Sequence, residues 1–239
     1  MNSDNREEQK VSAAKFYGVG VGPGDPKLIT LRAVEVLQEI EVIAIPKSKM
    51  ERESIAWEIA KTHCPSGVRI MEMEMPMTSD ESILRAAWQS AADKIQDEMQ
   101  KGNSVAFLTL GDPSLYSTYS YLLTILEHVL SPEQIETIPG ITAMAAAAAR
   151  VNWPLATGDE PLVILPGIEG LEEYEKYPNL VLMKVSRNLP EVLKRIQTTG
   201  AQAVLATRVG QAGENIRVLD AQEELEKVDY LSIVLLKQK

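Results

Sequence analysis

Asp112 stands in the stretch LGDPSLYST with Ser114, Tyr116, Ser117 and Thr118 close behind it. A carboxylate, a phenol and three hydroxyls in so short a span could accept or pass a proton, or hold a polar ligand. The same residues also suit a structural role. Asp before Pro caps free backbone N–H groups, and Pro113 fits the first turn of a helix. One turn by itself leaves both readings open.

The elements around this turn favour a ligand site. Val105–Leu110 is an apolar run of strand length, stopped by Gly111-Asp112-Pro113, and Tyr116, Tyr119, Leu122, Leu123 and Leu126 then keep a helical spacing. A second copy of this logic opens the chain. The strand Phe16–Val21 dissolves into Gly18, Gly20, Gly22 and Gly24, and Asp25-Pro26 precedes Leu28, Leu31, Ala33, Val34, Leu37 and Ile40 at helical spacing. A third strand, Ile135–Ile138, ends in Pro139-Gly140-Ile141-Thr142 before the alanine-rich helix Ala143–Arg150. In open parallel sheets, ligands bind at such carboxyl-end turns. The glycine loop GVGVGPGD resembles a dinucleotide loop, but Pro23 and Pro26 fall in the turn and no G-x-G-x-x-G opens the helix.

Further strands are expected at Val42–Ile45 and Val68–Met73, with helices over Arg52–Thr62 and from Ser79 or Asp80 onward. On that long helix Ile83, Leu84, Ala87, Ala91, Ile95 and Met99 form one apolar stripe. Met71, Met73, Met75 and Met77 alternate along one face of an extended segment, which suits core filling or a large flat ligand. The fold class is α/β: two α/β domains, residues 16–151 with a doubly wound, mostly parallel sheet and residues 162–239 with strands and helices again alternating. Residues 152–161 (NWPLATGDEP) read as the linker, residues 1–15 as a disordered start, and the cleft between the halves as the ligand site. In the second half, strands are expected at Leu162–Leu165, Leu180–Val185, Ala203–Thr207, Ile216–Leu219 and Leu231–Leu236. Helices there are expected over Leu171–Lys176, Leu189–Thr198 and Ala221–Glu226.

Composition narrows the function. A single cysteine and two histidines offer neither a disulfide framework nor a Cys/His metal site, and a reducing cytoplasm is the natural compartment. The formal charge of −10 disfavours a nucleic-acid partner. No apolar run approaches the roughly 20 residues that span a bilayer, so no membrane partner is expected.

The chain resembles the tetrapyrrole methylases over nearly its full length. The resemblance rests on GVGPGDP, LGDPSLYST, IPGIT, PLATGDE, LMK, TRVG and the closing YLSIVLL, in that order. Within the family, IPKS, MPMTSDES and FLTLGDPSLYSTYSYL look like the C20 methylases of corrinoid synthesis, which act on precorrin-2 or its cobalt form. Thr142-Ala143 departs from relatives that carry Ser after the Thr, and Thr207 from those that carry Glu before the Arg. The resemblance implies S-adenosylmethionine as methyl donor, bound in the cleft by Pro23, Gly111, Asp112, Pro113, Ser117, Thr118, Thr142, Ala143, Met183 and Val209. It also implies two α/β/α domains, the C-terminal one with a mixed sheet, a homodimer and a small-molecule tetrapyrrole substrate. For the carboxylates of that substrate, Lys47, Lys49, Arg52, Lys184, Arg187 and Arg208 are the expected partners. Asp112 and Tyr116 are candidates for a base by position, with Asp112 equally suited to a cap. The competing readings are a methylase of another tetrapyrrole position, a nicotinamide oxidoreductase and a non-catalytic binding module. Calorimetry with S-adenosylmethionine and with NAD separates the first two classes.

Overall fold

The computed structural model describes residues 14–47, 54–174, 176–220 and 228–238. The chain forms two five-stranded sheets. In the first, β1 (Phe16–Gly20), β2 (Val42–Lys47), β3 (Arg69–Glu74), β4 (Val105–Thr109) and β5 (Ile135–Ile138) run parallel in the order β3-β2-β4-β1-β5. Alternate side chains of these strands go to opposite faces. Ala44, Met73, Val105 and Phe107 lie under α3 (Glu81–Gln100) and α4 (Tyr119–Leu126). Val19, Ile43, Ala106 and Leu108 lie under α1 (Leu31–Glu39) and α2 (Ile55–Ala60). The first half is therefore doubly wound, as expected.

The second sheet is mixed, in the order β6-β7-β10-β8-β9, built from β6 (Leu162–Leu165), β7 (Asn179–Leu182), β8 (Gln202–Thr207), β9 (Asn215–Val218) and β10 (Ser232–Lys237). Only β6 and β7 pair in parallel; β10, last in the chain, lies antiparallel between β7 and β8. Helix α6 (Leu189–Thr199) covers the face carrying Leu180, Leu182, Leu205 and Val234. The opposite face, with Val181, Val204, Ala206 and Ile233, packs on Ala146, Ala147 and Ala148 of α5 (Ala143–Arg150). The alanines of α5 thus let its backbone approach the second sheet, although the helix follows the last strand of the first. Among the described residues, no helix is long and apolar enough to cross a membrane.

Two helix starts differ from the sequence reading. Asp112-Pro113 does not open α4, which begins at Tyr119; Tyr116 sits at φ 51°, a left-handed backbone that a helix cannot absorb. Asp25-Pro26 opens only a single 3-10 turn, Pro26–Leu28, and α1 starts later, with the Thr30 hydroxyl accepting from Ala33 N at 3.2 Å. The expected helix over Leu171–Lys176 is likewise a short 3-10 turn, Leu171–Tyr174. That over Arg52–Thr62 starts within the described residues at Ile55, whereas the one over Ala221–Glu226 lies outside them. Asp80 caps α3 as the sequence indicates, accepting from Ser82 N and Ile83 N. The stripe on that helix is buried from Ala91 through Ile95 to Met99, while Ile83 is exposed.

The C-terminal end of α3 is tied by Glu98, which is 8% exposed and accepts from Arg69 Nη2 at 2.5 Å, Lys101 Nζ at 2.8 Å and Asn103 Nδ2 at 3.0 Å. The Arg69 guanidinium, then the Lys101 ammonium, pull its carboxyl down to about 2. A carboxylate lowered on folding stabilises above its unfolded value and loses that contribution as pH falls through the folded one. The Tm advantage of wild type over Glu98→Gln should be full near neutrality. It should shrink as pH falls below about 4.5, the ordinary value, and vanish near 2.

Candidate active site

Three adjacent strands, β4, β1 and β5, end in glycine turns on one edge of the first sheet. After β1 and β4 the two turns pair with each other: Gly22 N donates to Gly111 O at 3.3 Å and Gly111 N to Gly22 O at 2.8 Å. Gly140 closes over both. A Cβ on Gly140 would lie 2.1 Å from Gly111 O, and one on Gly20 would lie 2.7 Å from Gly111 O and 2.7 Å from Gly140 N. Only residues without side chains fit this contact. Gly111 itself, at φ 77°, faces open space, with only Thr142 Cα at 4.0 Å from where a Cβ would be. Its bare backbone is a wall of the cleft.

Asp112 fastens the arrangement. One carboxylate oxygen accepts Gly140 N at 2.9 Å; the other accepts Ser114 N at 2.8 Å and the Ser114 hydroxyl. Burial alone would raise its pKa, but the Ser114 hydroxyl and the backbone N–H groups of Gly140 and Ser114 outweigh it and hold the carboxyl below its usual range. Asp112 is thus an anion saturated with donors rather than a group poised to collect a proton. Further along the turn, Thr109 and Ser117 share a hydroxyl–hydroxyl bond of 2.8 Å, and Ser117 Oγ accepts Tyr119 N at 3.1 Å.

The second sheet supplies the facing wall. Beyond β7 come Met183 and Lys184, the latter at φ 53°; beyond β8 come Arg208, at φ 52°, Val209 and Gly210. The halves touch where a Cβ on Gly210 would be 2.6 Å from Asp25 N, and Gln211 Nε2 donates to Pro23 O at 2.9 Å. A second tie crosses elsewhere: the Tyr116 hydroxyl donates to Ile164 O of β6 at 3.1 Å. Between these walls lies a cleft of about 170 Å³, mostly apolar, with Leu110, Met144, Met183 and Val209 among its lining.

The structure brings together Pro23, Gly111, Asp112, Thr142, Ala143, Met183, Val209 and Lys184 in the lining of this cleft. Pro113, Ser117 and Thr118 do not line it; Pro113 is buried behind the turn, and Ser117 serves the loop. Tyr116 does not line it either, since its ring reaches across to β6. Arg208 pairs through Nε with Asp229 at 2.9 Å instead of lining the cleft. Lys47 lines a different groove, Arg187 ends the 3-10 turn Val185–Arg187, and Lys49 and Arg52 lie outside the described residues. The lining also includes Leu110, Leu115, Gln211 and Tyr230–Ile233, to which the sequence assigned no role. Most of them sit inside or beside the motifs LGDPSLYST, TRVG and YLSIVLL, which was the available signal.

The fold and cleft define a two-sheet α/β protein with a cleft walled by bare loop backbone at the carboxyl edge of a parallel sheet. The chain belongs to the tetrapyrrole (corrin/porphyrin) methylases, whose family pattern it matches over residues 15–224. It is 38% identical to a protein of Methanocaldococcus jannaschii named as a probable cobalt-precorrin-2 C(20)-methyltransferase, over 94% of this chain and 96% of that one. The cobalt-precorrin-2 C(20)-methyltransferase of Salmonella typhimurium is 29% identical over 94% of this chain and 97% of its own. Among solved structures, the uroporphyrin-III C-methyltransferase of Thermus thermophilus, complexed with S-adenosylhomocysteine, superposes with a TM-score of 0.66. It is 18% identical and the match covers 94% of this chain and 92% of that one.

Replacing Asp112 by Ala removes the acceptor of the part-buried Gly140 N and should lower stability by about 0.5–1.5 kcal/mol, the net worth of an ordinary hydrogen bond. Because folding lowers the Asp112 pKa, its contribution is present above the unfolded value of about 3.9 and fades as pH falls below it. Thermal melts of wild type and Asp112→Ala should therefore differ at neutral pH and converge in acid.

Proposed function

We propose that this enzyme transfers the methyl group of S-adenosylmethionine to C20 of precorrin-2 or of its cobalt form, in corrinoid synthesis. The observation that carries the reading is the near-full-length likeness to the M. jannaschii and S. typhimurium proteins. The reading takes the protein as a cytoplasmic homodimer, in keeping with its single cysteine and with the family it belongs to.

The residues of the cleft fit the donor. Gly111 offers backbone where a side chain would block approach, and Met183, Val209, Leu110 and Ala143 provide apolar surface for an adenine ring and a thioether. At about 170 Å³ the cleft is smaller than the roughly 300–1,000 Å³ of ordinary ligand pockets. When bound, S-adenosylmethionine supplies a methyl already activated by its sulfonium.

What remains for the protein is alignment. Holding donor and acceptor in line is worth up to about 7–11 kcal/mol of the barrier. As the C20–methyl bond forms and the sulfur–methyl bond breaks, C20 loses its proton, which an exposed mouth passes to water. Asp112, with its lowered pKa and three donors, acts by fixing the loops against each other. Tyr116 acts similarly, holding the turn after β4 to β6 through Ile164 O. Lys184, exposed at the rim with a left-handed backbone, presents its ammonium to a substrate carboxylate.

Gly111→Val places a branched side chain in the cleft at a left-handed φ of 77°. Its affinity for S-adenosylmethionine by calorimetry should fall at least about tenfold, the factor carried by 1.4 kcal/mol. A folded Gly111→Val protein with wild-type affinity would remove this loop from the donor site. Turnover assays of the wild type with precorrin-2 and cobalt-precorrin-2 side by side test the substrate.

A further inference from the structure

A second concavity, larger than the cleft, opens on the same edge of the first sheet. It measures about 630 Å³ and lies between the ends of β2 and β3 and one face of α3. Its floor is Met73 and Met75, which are 0% and 9% exposed and belong to the core. Its walls are Met77 and Ile83, which are 62% and 49% exposed. On α3 the residues facing it are Ile83, Ala87, Ser90, Ala91 and Lys94, a spacing that keeps them on one side of the helix. Small residues stand midway along that face, where a helix meant to seal the sheet edge would carry large ones. The gap is therefore built into the sequence of α3, and flexible methionine is left to meet whatever enters.

We propose that this groove is the docking subsite for the part of the tetrapyrrole remote from the reacting carbon, an inference that rests on the proposed function. Placement supports it. The strands run in the order β3-β2-β4, so the groove at β3 lies two strand spacings, about 10 Å, from the turn after β4 that walls the cleft. A rigid macrocycle with its reacting edge in the cleft extends over that distance along the sheet edge. Chemistry supports it too. Methionine thioethers suit the flat apolar face of such a ring. Lys47 and Lys94 stand at the groove for its carboxylate arms, on a protein whose formal charge is −10. Lys94 has no ion-pair partner among the described residues, and Lys47 is paired with Glu72, so an arm reaching Lys47 takes the place of that carboxylate. Glu74 also lines the groove and opposes a carboxylate beside it, which leaves Lys94, on the facing helix, as the cation for an arm.

The test uses sirohydrochlorin, a stable tetrapyrrole octacarboxylate, titrated into the full chain and followed by its absorbance. Ser90→Trp fills the groove from an exposed helix position and Lys94→Glu reverses the charge on its rim. Each should raise the Kd for sirohydrochlorin about tenfold, equal to 1.4 kcal/mol, and leave the calorimetric Kd for S-adenosylmethionine unchanged. Lys94→Glu should in addition flatten the dependence of binding on salt, and it carries the test should the tryptophan variant melt early. Sirohydrochlorin binding as in wild type by a folded variant overturns the groove and leaves the proposed function standing. A wild-type chain that binds S-adenosylmethionine but no sirohydrochlorin overturns both.

Discussion

The carbonyl oxygen of Gly111 reaches into a space where any side chain on Gly20 or Gly140 would strike it. That contact brings the turns after β1, β4 and β5 within hydrogen-bond distance, and the Asp112 carboxylate locks it by accepting Gly140 N. Most of the site follows from it. With three turns fused into one surface, the edge of the sheet becomes a rigid wall of backbone. Thr142 is then held at the start of α5, whose hydroxyl-capped first turn lines the cleft. Helix α5 continues onto the second sheet through its alanines, so the same fixed turn also sets where the facing wall stands.

The two halves meet by unequal means. On one side the approach of Gly210 to Asp25 is so close that a single methyl would not fit, and the Gln211 amide bonds the Pro23 carbonyl. On the other, a single phenol reaches from the turn after β4 to the edge strand β6. Close backbone packing resists deformation, whereas one hydrogen bond adds about 0.5–1.5 kcal/mol and can be exchanged for water. The alanines of α5 add an apolar contact between the halves, packing on Val181, Val204, Ala206 and Ile233 of the second sheet.

Methyl transfer from an activated donor needs little acid–base assistance, and the site is built accordingly. Among the described residues the cleft has one lining carboxylate, that of Asp112, which holds Gly140 N and Ser114, and much of the remaining lining is apolar. Basic side chains stand at both cavities, Lys184 at the cleft and Lys47 and Lys94 at the groove. All three are exposed, so any attraction they exert on an anion is of short range and weakens with salt.

The sequence by itself determined the parts that depend on neighbours along the chain. Period-two and period-3.6 patterns located the strands of both sheets and the long helix with its Asp80 cap, because side-chain spacing fixes which face is buried. The recurring glycine turns marked the carboxyl edge at which the cleft lies, and the ordered motifs identified the family. Tertiary structure decided what depends on distant residues. Asp112 looked like a helix cap from its own surroundings, but its second partner, Gly140, lies 28 residues away. Tyr116 kept a helical spacing yet takes a left-handed backbone to reach Ile164, 48 residues on. The last strand, β10, enters the middle of its sheet because pairing antiparallel with both β7 and β8 satisfies its backbone on two sides. Local pattern specifies that a strand forms; which strand it lies beside is set by hydrogen bonding and burial that exist only once the whole chain has folded.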